Sequence, residues 1–234
     1  IMRSVLGRFG EVWFYGKDEY VGKSFYNYGE FSGIECDEIL SLADRTKLSL
    51  DVGANVGAIA QMFEYHQYPC VAFEPQPEIH KLLVKNFTGE THNCALGSTE
   101  STAQMPRLRY GARYNYGGMS LNTRTELGSY PVPVKTLDSF NFGNVGFIKI
   151  DVEGWEEEVL KGAVNTITRD KPIMYVEDDR QEKSASLRKF IATLGYSIEE
   201  SRTPLYRENN FFGKKVNVWA PNNFLSFNII CRPL

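Results

Sequence analysis

The chain has 234 residues, 42% hydrophobic and 24% charged, with a formal net charge of -3 and a pI near 5.8. These values describe a soluble globular chain long enough to bury a sizeable core, and near-balanced charge argues against a wholesale polyanion binder. The four cysteines, Cys36, Cys70, Cys94 and Cys231, form no Cys-x-x-Cys pair, so reduced thiols in a cytoplasmic setting are expected rather than a disulfide framework or zinc site.

No apolar stretch reaches membrane-span length, and no signal-peptide pattern opens the chain. A first residue of Ile reads as a piece cut from a longer polypeptide, whose further domains would lie outside it.

Residues 1–46 carry aromatic, Gly-rich stretches and then "ECDEILSLAD", whose apolar spacing predicts a short amphipathic helix. From residue 47 strands and helices alternate. "KLSLDVG" reads as a buried strand, "NVGAIAQMFEYH" as a helix, "CVAFEP" as a second strand and "PEIHKLLVKNF" as a helix with Pro77 in its first turn. "HNCALGS" predicts a third strand and "VGFIKIDVEG" a fourth, followed by one helix over "WEEEVLKGAVNTITRD" with acids in its first turn. "PIMYVEDD" is a fifth strand, "SASLRKFIATLG" a helix, and the tail two or three antiparallel strands at the sheet edge.

This alternation predicts an α/β fold with a mostly parallel, doubly wound sheet and an antiparallel edge strand. Residues 97–135 break the rhythm. Their Tyr110, Tyr114, Tyr116, Arg107, Arg109 and Arg113 either line a polar substrate pocket or sit on an exposed β-hairpin.

Ligands in such sheets bind beyond the carboxyl ends of the strands, where glycine lets backbone approach them closely. Asp51-Val52-Gly53-Ala54-Asn55-Val56-Gly57 meets that need. A dinucleotide fingerprint would need glycine at Asn55, and Asp51 would repel a phosphate. An aspartate there suits a cationic, amino-bearing ligand such as the methionine part of S-adenosylmethionine. Glu74, with Pro75 beside it, ends the second strand where an acid can accept both ribose hydroxyls; NAD sites use an acid in the same way. Asn93, Cys94 and Ala95 are candidates for holding an adenine ring.

"DVGANVG", "AFEPQPEIHKLLVKN", "CALG", "VKTLDSF" and "FIKIDVEGWEEEVLKGA" together resemble, in order, the FkbM-type S-adenosylmethionine-dependent methyltransferases. "YNYGGMSLN" and the closing "PNNFLSFNIICRP" are similar to that family as well, so the resemblance covers about residues 28–234. It implies a class I, Rossmann-like methyltransferase domain over 47–234, with 97–135 a substrate-side insertion and 1–46 an extension serving as lid or dimer segment. It implies O-methylation, often of sugar hydroxyls on glycans or glycoconjugates, in a polypeptide that can also carry glycosyltransferase domains. Carried over by position, Asp51, Gly53, Asn55 and Gly57 border the methionine moiety, Glu74 the ribose, and Asn93 to Ala95 the adenine.

Methyl transfer to an alkyl hydroxyl is an in-line displacement that needs positioning and a base. Lys149, Asp151 and Glu153 stand at the end of the fourth strand and share one face if the extended geometry continues. Asp151 is the leading base and Glu153 the second, with Lys149 positioning the acceptor or tuning the acids. A structural alternative has Glu153 capping the next helix and Lys149 paired with Asp151. Glu177 and Asp178 open on the same crevice, with Glu177, Tyr114 and Tyr116 expected at the substrate. Asp151, Glu177 and Asp178 offer oxygen ligands, but no His/Asp constellation sharpens a metal site and none is expected. Competing readings are a ribose 2′-O-methyltransferase acting on RNA, a non-catalytic cofactor-binding module and a nicotinamide oxidoreductase. The acidic balance, the intact Asp51, Glu74 and Asp151, and the loop sequence argue against them in turn.

Overall fold

The computed structural model describes residues 1–234. The chain opens with a hairpin, β1 (Met2–Gly7) and β2 (Gly10–Tyr15), then helices α1 (Val21–Tyr28) and α2 (Gly33–Leu42). Alternation follows: β3 (Leu48–Val52), α3 (Ala58–Tyr65), β4 (Cys70–Phe73), α4 (Pro77–Asn86) and β5 (Glu90–His92). A small sheet holds β6 (Ala95–Leu96), β7 (Ser101–Pro106) and β8 (Ser129–Lys135). The alternation resumes with β9 (Val145–Ile150), α5 (Glu156–Lys161), α6 (Val164–Asp170), β10 (Ile173–Glu177) and α7 (Gln181–Thr193), and closes with β11 (Tyr196–Pro204) and β12 (Leu225–Pro233).

The main sheet has the order β11-β12-β10-β9-β3-β4-β5. Strands β10, β9, β3, β4 and β5 are parallel, and β12 runs antiparallel to both its neighbours. The antiparallel strand therefore lies one place in from the edge, with β11 outside it. Ile148, Ile150, Met174 and Val176 face a core built with Val159, Ile167 and Leu187. Phe147 and Tyr175 point the other way, onto Cys36 and Ile39 of α2 and Met62 and Phe63 of α3. Helices thus cover both faces, which is why β9 reads as a nearly continuous apolar run.

Three expectations are corrected. "HNCALGS" is not one strand: β5 ends at His92, and β6 joins the small sheet by pairing with β8. Asn93 makes the switch, donating its side-chain amide to the carbonyls of Glu74 (2.9 Å) and Pro75 (3.1 Å). The single helix after β9 is two, α5 and α6. The break is at Gly162, where a Cβ would lie 2.0 Å from the Gly97 carbonyl oxygen, and Asp138 caps α6 by accepting from the amides of Asn165 and Thr166. The region 97–135 is neither pocket wall alone nor simple hairpin: β7 and β8 pair antiparallel, and a long loop, 107–128, runs between them.

Residues 1–46 pack into the same body. Val12, Phe14, Val21 and Phe25 share a core with Ile79 and Leu82 of α4 and with Tyr116. Asn86 fastens the hairpin to α4, accepting from the Trp13 amide at 2.7 Å and donating to the Trp13 carbonyl at 2.8 Å. The four thiols are all free, and no helix is long and apolar enough to cross a membrane.

At Gly53 the backbone has φ +84°, and a Cβ would lie 1.8 Å from the Asp151 carbonyl oxygen. At Gly57, φ is +94° and a Cβ would meet only the Leu83 Cδ1 end at 2.8 Å. Left-handed backbone costs a residue with a Cβ about 1–2 kcal/mol, and only Gly53 adds a backbone clash. Gly53→Ala is therefore expected to lower the melting temperature more than Gly57→Ala; equal losses in parallel thermal unfolding would contradict this.

Candidate active site

A cavity of about 600 Å³ opens beyond the carboxyl ends of β3, β4, β9 and β10. At its base Asp51 and Lys149 stand level across β3 and β9, with Tyr175 of β10 in the same register but turned into the core. Asp51 is fully buried, and neither carboxylate oxygen has a hydrogen-bond partner. Burial pushes it up to about 6, with Lys149 pulling the other way. Lys149 is also buried; burial works against its charge, but Asp151, Asp51 and Glu35 outweigh that and hold it above the usual lysine range. Its Nζ lies 3.1 Å from Asp151 Oδ2, while the Asp151 side chain keeps 36% exposure, open to the cavity.

The turn after β3 is shaped by Glu74. Its Oε2 accepts from the Asn55 amide (3.0 Å) and its Oε1 from the Gln76 amide (2.8 Å), so the end of β4 is tied to the left-handed Asn55. Burial pushes Glu74 up to about 7, against the pull of those amides. Gln76, absent from the sequence reading, donates to the Tyr116 carbonyl (2.9 Å) and accepts from the Tyr110 hydroxyl (3.0 Å), anchoring the long loop.

The structure brings Asp51, Gly53, Asn55, Glu74, Pro75, Cys94, Ala95, Lys149, Asp151, Glu153 and Glu177 to this cavity. Gly57, Asn93, Tyr114 and Tyr116 are not among its walls. Gly57 caps α3, Asn93 is exposed behind Glu74, and Tyr116 is buried in the core against Tyr15 and Tyr110. Tyr114 joins Asp18 in a β-bridge. The loop contributes Asn115, Gly117, Gly118 and Met119 instead.

Past β9 the extended geometry stops, since Glu153 has φ +57°. Glu153 still turns inward, its Oε2 accepting from Arg180 at 2.6 Å, and burial, then Asp151, push it to about 8 against Arg180. Glu153 does not cap the helix, which has no side-chain cap; its first residue, Glu156, folds back so that Oε1 accepts from the amides of Val152 and Gly154 in the turn ahead of it. Asp178 turns away, held by Ser184 (2.9 Å) and Arg188 (2.7 Å). Asp179 and Arg180, next in sequence, line the cavity in its place.

Two segments complete the mouth. Tyr20, Phe31 and Glu35 come from the N-terminal region, expected as a lid or dimer segment but with no residue named, and Leu205 and Phe224 from the connection between β11 and β12, with Phe227 from the start of β12. Arg207 joins the two, donating to both oxygens of Glu30 (2.6 and 2.7 Å) and to Asp37 (2.8 Å). For the second segment the only hint in the sequence was the family likeness of "PNNFLSF".

The sheet order, the glycine turn after β3 and the acids closing β3 and β4 define a class I S-adenosylmethionine-dependent methyltransferase fold. The Methyltransferase FkbM domain matches residues 51–198, and the chain belongs to that family, whose methyl donor is S-adenosylmethionine. A solved methyltransferase FkbM from Methylobacillus flagellatus KT shares 16% identity at a TM-score of 0.50, over 79% of this chain and 43% of that one. This chain thus spans less than half of that protein. The precorrin-6y C5,15-methyltransferase of Geobacter metallireducens GS-15 shares 11% identity at a TM-score of 0.51, over 87% of this chain and 86% of that one. At these identities the likeness is one of fold. No curated protein sequence matches the chain.

The cavity suits the donor: the unpartnered Asp51 oxygens fit a ligand ammonium, and Glu74 has acceptor capacity left for hydroxyls. Hydroxyls donating to Glu74 favour its ionised form, so its pKa falls on binding and affinity rises with pH until Glu74 is ionised in the free protein. Calorimetry with S-adenosylhomocysteine from about pH 5.5 to about pH 8 is expected to show binding tightening up to about 7 and then levelling. Glu74→Gln should weaken binding and flatten the upper part of that profile; an unchanged profile would remove Glu74 from the ribose.

Proposed function

We propose that the chain is an S-adenosylmethionine-dependent O-methyltransferase acting on a sugar hydroxyl of a glycan or glycoconjugate. The observation that carries this reading is Asp151, pinned by Lys149 at 3.1 Å yet open to the cavity at the end of β9. A carboxylate so placed can take the proton of an incoming hydroxyl, while the Lys149 contact fixes its orientation.

S-adenosylmethionine supplies an electrophilic methyl group when bound. The chain's own part is positioning: Asp51 orients the amino-acid end, Glu74 the ribose, and Asp151 the attacking oxygen. Glu153 is the second candidate base, held by Arg180. The acceptor side supports a carbohydrate. Carboxylates accept from hydroxyls, and the rings of Tyr20, Phe31, Phe224 and Phe227 offer apolar faces to a sugar. A ribose in RNA would bring phosphates to a cavity lined by seven carboxylates and two cationic side chains, which disfavours it.

Parallel calorimetry with S-adenosylmethionine, S-adenosylhomocysteine and NAD⁺ is expected to show binding of the first two alone. Asp151→Asn should keep that binding and lose roughly 10²-fold or more in turnover on deoxysugar or oligosaccharide acceptors. Turnover equal to the parent would pass the base role to Glu153.

A further inference from the structure

The cavity's charge is out of proportion to its donor. Glu35, Asp51, Glu74, Asp151, Glu153, Glu177 and Asp179 face Lys149 and Arg180. S-adenosylmethionine carries two cationic groups and one carboxylate, so it offsets little of that excess. The remainder gathers at the acceptor end, where one oxygen from each of Asp151, Glu153 and Glu177 lies within 4.8 Å of the others. The turn after β9 supplies two of them and the last residue of β10 the third.

Glu177 supplies a second, independent observation. Its Oε2 is cut off from solvent and has no hydrogen-bond partner, although the Arg180 guanidinium sits close by on Glu153. A buried carboxylate oxygen left without a partner is unfavourable, and a cation beside it offsets that cost. Arg180 contributes one positive charge against three carboxylates, and Lys149 is shared with Asp51 and Glu35. The uncompensated charge is of the size a divalent ion carries.

We propose that Asp151, Glu153 and Glu177 form a binding site for a hard divalent cation, Mg²⁺ or Mn²⁺, at the acceptor end of the cavity. The donor set contains oxygen alone, which suits these ions and not the softer metals that select imidazole or thiolate. Ligand distances of about 2.1 Å put adjacent donors of an octahedral ion roughly 3 Å apart and opposite ones roughly 4.2 Å apart, so the three carboxylates would draw together around the ion from separations of up to 4.8 Å. Asp178, adjacent to Glu177 in sequence, takes no part because Arg188 and Ser184 hold it elsewhere. The site stands on the three carboxylates. Its use, making an acceptor hydroxyl more acidic beside Asp151, rests on the methyl-transfer reading.

Titration of the purified chain with MnCl₂ and MgCl₂ by calorimetry, with Mn²⁺ followed by electron paramagnetic resonance, tests the site without any turnover. A single saturable Mn²⁺ per chain is expected, weakened at least about tenfold in both Glu177→Gln and Glu153→Gln, with S-adenosylhomocysteine affinity and melting temperature retained. Absence of saturable binding at millimolar Mn²⁺, or binding unchanged in both variants, overturns the proposal. A chain that binds S-adenosylhomocysteine but no Mn²⁺ sinks the metal site alone. Mn²⁺ binding without S-adenosylhomocysteine binding supports the metal site and counts against the methyl-transfer reading.

Discussion

Lys149 is a cation in the interior of a sheet, and a buried ammonium costs several kcal/mol unless carboxylates surround it. Asp51 lies level with it on β3, Asp151 stands 3.1 Å away past the end of β9, and Glu35 reaches it from α2. These groups belong to three separate elements, so one buried charge draws the N-terminal region, the first strand and the fourth parallel strand into one electrostatic unit. Removing any one of these carboxylates withdraws part of what holds the Lys149 charge in the sheet. The strand ends that line the cavity therefore share a common support.

That support is visible in part from residue order. The strand run "KLSLDVG", the acid at the end of "CVAFE" and the triplet in "IKIDVEG" place Asp51, Glu74 and Asp151 at neighbouring strand ends, because a parallel sheet brings every carboxyl end to one side. What stayed hidden depends on contacts distant in sequence. Nothing near Gly162 announces that Gly97 will pass within 2.0 Å of its missing Cβ, so the helix break could not be read. Tyr116 looked like a pocket residue because tyrosines on an irregular loop usually are accessible. Burial against Tyr15, 101 positions earlier in the chain, decided otherwise. The positive φ at Glu153, which local pattern does not set, ends the extended run and turns that side chain onto Arg180, away from the helix cap that was the structural alternative.

The mouth of the cavity shows the same division between near and far. Residues 20–35 and 205–227 touch because Arg207 grips Glu30 with both ends of its guanidinium, and Trp219 donates to the Glu19 carbonyl at 3.3 Å. The 107–128 loop is bound to the N-terminal segment through the Tyr114 bridge and to β4 through Gln76. The mouth of the cavity is thus built by long connections fastened to one another by polar clasps, and its floor by strand ends and tight turns.

Gly53 has a consequence for how such a protein can change. Its backbone lies so close to the Asp151 carbonyl that a side chain has no room, so the approach of the turn after β3 to the end of β9, and with it the span between Asp51 and Asp151, depends on glycine at this position. That close packing acts as a ruler for the strand ends, and variation in the three surface connections can reshape the mouth of the cavity while the ruler holds.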